Sequence, residues 1–188
     1  MPTRARLAGH AFIQDVLTLH LNLNTRHLKG DRMGKLADVL LSETIKPDAV
    51  KDFKQFITDT VKSKKGVSGM VIGAGFKALM KMSPNALDDA VQGLFPEYAE
   101  VLDGYYTRFD PDGNNDPDDF PGWVNSFAGE IADAFLAIND RVVLEVGGKP
   151  LAKVYYPIKK IAKKHTVLAI PGTAEVAVRH FKKGLESG

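Results

Sequence analysis

Residues 71–81 read VIGAGFKALMK, and the fold turns on how they are read. Gly73-Ala74-Gly75-Phe76-Lys77-Ala78 fits the dinucleotide fingerprint G-x-G-x-x-G/A, and Val71-Ile72 stand where a strand would end. Such a site needs a strand, a tight glycine turn and a helix inside one βαβ unit, with an acidic residue about 20 positions on to hold the ribose. Here a helix starting at Gly75 stops at Pro84, and no second strand pattern follows. Asp88 and Asp89, the nearest acids downstream, fall within another helical pattern, and KSKKGVSG upstream is no buried strand. The stretch therefore reads as a helix over 67–82. Its inner face is expected to carry Val67, Met70, Val71, Ala74, Ala78, Leu79 and Met82, with Gly69 and Gly73 forming a groove for a neighbouring helix. Cofactor binding is not expected.

The surrounding sequence agrees with a helical protein. Pro47, Pro84, Pro96, Pro121, Pro150 and Pro171 each precede a stretch of helical apolar spacing. Proline is tolerated at the first helical position, where its missing N–H has no partner to lose. Ser83 is placed to cap the helix after Pro84. Val50, Phe53, Phe56, Ile57 and Val61 recur every three or four residues, as do Trp123, Phe127, Ile131, Phe135, Ile138 and Val142. After Pro171 come Ala174, Ala177, Val178, Phe181 and Leu185. Pro157 interrupts the pattern Leu151, Val154, Tyr155, Ile158, Ile161, Leu168, which predicts a kinked helix or two short ones. Leu36, Val39 and Leu40 predict a short helix before all of these.

Residues 1–32 differ. LTLHLNLN alternates with period two but has no strand to pair with, and a lone strand is unstable. These residues are expected to form a disordered, dispensable arm or an upstream extension, and 33–188 the helical domain.

The chain has 188 residues, enough for one core, and no cysteine. Disulfides, thiolate metal sites and cysteine nucleophiles are excluded, in keeping with a cytoplasmic protein. The longest uncharged run near the fingerprint, Gly66 to Phe76, is half the length of a membrane span. Net charge is only +2, but it is segregated: +7 over residues 1–83, −12 over 84–146 and +7 over 147–188. Opposite blocks attract one another on folding and leave charged faces for partners.

The middle block contains DPDGNNDPDD, residues 110–119. Asp110, Asp112, Asp116 and Asp119 are candidate calcium ligands, since hard cations favour carboxylates on a tight turn. The EF-hand spacing is absent, and a solvated acidic turn is the competing reading. In the basic C-terminal block, Lys153, Lys160 and Lys164 fall near one helix face, where they would meet an anionic partner such as nucleic acid or a membrane, or simply face water. The histidines, His10, His20, His27, His165 and His180, form no i, i+4 pair, and the nucleophile-elbow, Walker and S-x-x-K motifs are missing.

From Met33 onward, MGKLADVLLSE, SKKGVSG, IADAFLAINDRV and KVYYPIKKIAKKHTVLAIPGTAEVAVRHF resemble a small uncharacterised family of actinobacterial proteins, a domain of unknown function. The resemblance implies an all-helical cytoplasmic protein and no site residues. The expectation is therefore one all-α domain of six to eight helices. Its function is expected to be non-enzymatic docking of a protein partner or anionic surface through charged faces. A helical carrier with an apolar pocket for a lipid or acyl ligand is the alternative.

Overall fold

The first helix of the structure is held in place from a distance. α1 (Lys35–Leu40) buries Leu36, Ala37 and Leu40, and its leading amides donate to a carboxylate 66 residues away. Asp103 Oδ1 accepts from the Leu36 N–H at 2.9 Å and the Ala37 N–H at 3.1 Å. That satisfies donors a helix start leaves bare and sets a negative charge at the positive end of the helix dipole. The computed structural model describes residues 35–82 and 85–187, and all regular structure among them is helical. The arm at 1–32 and the expected cap Ser83 lie outside the described residues.

α2 (Lys46–Ser63) carries Pro47 in its first turn and buries Ala49 and Phe53. It ends at Lys64, whose extended backbone leads to Gly66 at φ 75°, a conformation that favours glycine. α3 (Gly66–Met82) follows and contains the whole fingerprint. α4 (Ala86–Phe109) buries Leu87, Val91, Phe95, Ala99, Leu102, Tyr106 and Phe109, one stripe at helical spacing. An acidic loop and a 3₁₀ turn (Pro117–Asp119) lead into the short α5 (Phe120–Val124). α6 (Ala128–Val142) and α7 (Gly148–Ser187) are joined by a π-helical turn (Val143–Gly147). These seven α-helices form one all-α domain, within the expected six to eight.

α7 is the spine, packing against α1, α2, α3, α5 and α6. Its C-terminal half buries Ile170, Ala174, Val176, Ala177, Val178 and Phe181. Phe181 meets Tyr106 of α4 at 5.1 Å between ring centroids, and Tyr106 in turn meets Phe120 of α5 at 5.1 Å. Two glycines let other helices approach: a Cβ on Gly172 would lie 2.7 Å from the Phe56 ring, and one on Gly184 would strike Val39.

Several sequence expectations need correction. Pro96 and Pro171 do not begin helices but lie inside continuous ones, as does Pro157, where the single-helix alternative holds and the two-helix one does not. An interior proline costs roughly 3 kcal/mol or more, and burial of the apolar residues on both sides offsets it. Phe95 and Ala99 flank Pro96, and Ile170 and Ala174 flank Pro171, all four buried. The stretch after Pro121 is α5, a 3₁₀ turn (Asn125–Phe127) and α6, not one helix.

α3 is a helix as expected, but its inner face is not the one the spacing suggested. Val67, Met70 and Ala74 are exposed, while Phe76 and Met80 pack on the core. The glycine groove is also displaced. Nothing lies within 4 Å of a Cβ built on Gly73, whereas one on Gly75 would sit 2.7 Å from Ile158 Cδ1 of α7. A helix that is apolar nearly all round gives its spacing little power to choose a face.

Candidate functional site: the lysine face of the long helix

Residues 148–174 of α7 contain no Asp or Glu and six lysines, so side chains from other helices decide what those charges meet. α7 doubles back along α6. Lys159 Nζ reaches Asp140 at 2.5 Å, and Lys163 Nζ reaches Asp133 at 2.6 Å. The Tyr155 hydroxyl donates to the other Asp140 oxygen at 2.8 Å. Burial works to raise the Asp140 carboxyl, but the Lys159 ammonium and the Tyr155 hydroxyl outweigh it and hold it below the ordinary carboxylate range. Burial, with the Asp140 charge adding to it, pushes the Tyr155 phenol up. Tyr98 donates to Asn139 at 2.6 Å and is likewise raised by burial. Beside these pairs runs an open cleft of about 480 Å³ whose lining includes Asp133, Asp140, Tyr156, Lys159, Lys160 and Lys163.

Lys153, Lys160 and Lys164 lie further round the helix, and Lys160 also borders that cleft. All three are exposed, and none has a carboxylate partner among the described residues. The structure thus sorts the lysines of this stretch into a set spent on α6 and a set left facing outward.

Further along α7, Lys182 pairs with Asp118 at 2.6 Å and Lys183 with Asp48 at 2.5 Å. The Lys183 ammonium, by hydrogen bond and charge, holds Asp48 below the usual range. A second open cleft of about 360 Å³ lies there, lined by Asp118, Glu175, Arg179 and Lys182 among others.

The acidic loop spends its oxygens on its own backbone. Asp110 Oδ1 accepts from the Asn114 and Asn115 N–H groups at 2.7 and 2.9 Å, and Asp116 Oδ1 from the Asp118 N–H at 3.0 Å. Asp112 and Asp119 are exposed. Among the described residues no three His, Asp or Glu side chains are gathered as a metal ion would require, these four included.

Sequence reasoning did not place three polar groups inside the fold: the carboxylate of Asp103 and the rings of His180 and the half-buried His165. Asp103 is the α1 cap. His180, 4 % exposed, places Nε2 3.0 Å from Asp52 Oδ2 of α2, and its buried Nδ1 has no partner among the described residues. A His–Asp pair can orient a general base, but among the described residues no hydroxyl bonds to His180, and the pair ties α2 to α7. Both ring nitrogens of His165 are buried without a described partner. Burial, with the charges of Lys64 and Lys164 adding to it, lowers its pKa. The available signal was positional: Asp103 and His180 interrupt otherwise apolar stripes, one turn from Ala99 and Ala177.

Fold and site together define a single-domain, all-α protein with a charge-sorted long helix and no helix, among the described residues, long and apolar enough to cross a membrane. The model of a family of unknown function, DUF6918, matches residues 36–181, and the chain belongs to that family. The resemblance read from Met33 onward to an uncharacterised domain is thereby borne out. No curated protein and no solved structure matches the chain.

Proposed function

We propose that this protein is a non-enzymatic docking module that binds an anionic partner through the outward lysines of α7, within a reducing compartment. The observation that carries the reading is the sorting itself. Lys159 and Lys163 are committed to Asp140 and Asp133, while Lys153, Lys160 and Lys164 stay exposed on a helix stretch that contains no acid. A run of lysines needed only for cohesion would be expected to find partners in the −12 block, as Lys159, Lys163 and Lys182 do. A lipid carrier would want an enclosed apolar cavity, whereas the two clefts described here are open and lined by charged side chains.

The test replaces Lys153, Lys160 and Lys164 by Gln together. Single exposed charges contribute little to stability, so the melting temperature should stay nearly constant. Retention of the wild type on a heparin column should fall with salt, and the variant should elute earlier. A wild type that is not retained, or a variant retained equally, would sink the proposal.

A further inference from the structure

The outward face of α7 does not end at its lysines. α3 lies beside it, running antiparallel: Gly75 faces Ile158, and Lys64, just before α3, lies near His165. On α3 the exposed residues are Val67, Met70, Ala74, Lys77 and Lys81, one stripe at helical spacing. On α7 Lys153, Pro157, Lys160, Lys164 and Leu168 again form one stripe, with the exposed Tyr156 and Lys163 at its edge toward α6. Starting from the residue that faces the other helix, Gly75 or Ile158, the core-facing residues lie on the same rotational side of each. In an antiparallel pair this makes both exposed stripes open onto one side of the molecule.

The composition of that joint face is specific. Neither α3 nor residues 148–174 contain an acid, and the two stripes contain no arginine and no aromatic residue. Their charges are all lysines, compact and strongly hydrated, and among the described residues none of the five has a carboxylate partner. Between them stand large apolar side chains held out in water: Val67 is 74 % exposed, Met70 68 % and Leu168 64 %. All three lie toward the same end of the antiparallel pair. Exposed aliphatic residues set among lysines match an anionic bilayer, where the aliphatics enter the headgroup boundary and the lysines meet phosphate and carboxylate above it. Recognition of nucleic acid draws instead on arginine forks and stacking aromatics; the stripes hold no arginine, and the exposed Tyr156 at their edge borders the cleft beside α6.

Building on the docking reading above, we propose that the partner is the surface of an anionic phospholipid bilayer, engaged by the joint α3/α7 face with Val67, Met70 and Leu168 as the inserting residues. The protein would lie on the membrane and not cross it.

The experiment measures flotation of the full chain with vesicles of phosphatidylcholine alone or mixed with phosphatidylserine, next to heparin retention. The wild type should bind only the mixed vesicles. Replacing Val67, Met70 and Leu168 by Ser together should weaken vesicle binding by about tenfold or more and leave heparin retention and the melting temperature unchanged. Replacing Lys153, Lys160 and Lys164 by Gln should weaken both. Serine replacement without effect on vesicle binding overturns the lipid assignment. So does a wild type that is retained on heparin but ignores the mixed vesicles, an outcome that leaves the docking reading standing with an acidic protein or a nucleic acid as partner. A wild type that binds neither overturns both.

Discussion

Asp103 is the residue on which the start of the domain depends. Its carboxylate, on α4, is the acceptor for two amides of α1. Charge-assisted bonds of this kind contribute roughly 1.5–3 kcal/mol, so Asp103→Ala should lower stability by about 2 kcal/mol in urea unfolding. Asp112→Ala, at an exposed loop position, should be close to neutral. Glycines offer a second contrast. Gly73 sits mid-helix with open space around it, so Gly73→Ala should stabilise by about 0.5–1 kcal/mol. Gly172 lies against the rigid Phe56 ring, so Gly172→Ala should destabilise, on the order of 1–3 kcal/mol. Equal effects at the two sites would contradict the packing. His165 makes a prediction in pH. Its folded pKa lies below the ordinary 6.5, so as pH falls the unfolded chain takes the proton first. Its contribution is intact above 6.5 and is lost as pH drops below that value. The melting temperature should decline between about pH 7 and 5, and less so in His165→Gln. Asp48 and Asp140, held low, act in a separate window, their contribution lost only as pH falls below about 3.8.

At the scale of elements, α6 and α7 form a charged seam and α3 an apolar cover. Lys159→Gln removes the ammonium from Asp140, which keeps its Tyr155 bond. With both partners of the pair partly exposed, the loss should be no more than about 1 kcal/mol by thermal unfolding, yet larger than for Lys160→Gln, which leaves no described carboxylate behind. Several elements were legible from the sequence: the stripes of α2, α6 and the end of α7 stand out because charged residues occupy their other faces. Pro96 and Pro171 misled, because local chemistry marks each as a boundary while long-range packing carries the helix through; at Pro157 one of the two alternatives, a single helix, holds. The orientation of α3 was not legible, since Val67, Met70, Phe76 and Met80 are alike in hydropathy and only Ile158 and the core decide which of them point inward. The outward set Lys153, Lys160 and Lys164 was readable from spacing. The commitment of Lys159 and Lys163 was not, because it depends on α6 lying alongside.

For the whole molecule, the segregation of charge becomes architecture. The −12 block and the basic C-terminal block meet through Lys159–Asp140, Lys163–Asp133 and Lys182–Asp118, while Lys183–Asp48 and His180–Asp52 tie α7 back to α2. Five lysines without a described carboxylate partner stand on the α3/α7 face. The position of α7 in this scheme bears on when a nascent chain can fold. α1, α2 and α5 each lean on α7, and Ile170 through Phe181 are made only after the helices they cover have left the ribosome. Until then Phe56 lacks its contact with Gly172 and Tyr106 its contact with Phe181, and the growing polypeptide must persist as an open, sticky collection of helices. A chain halted at Ala169 should bind the dye ANS and give broad, non-cooperative melting, and addition of a peptide spanning 168–187 should restore a sharp transition. For this protein, closure of the core is an event that follows the synthesis of almost the entire domain.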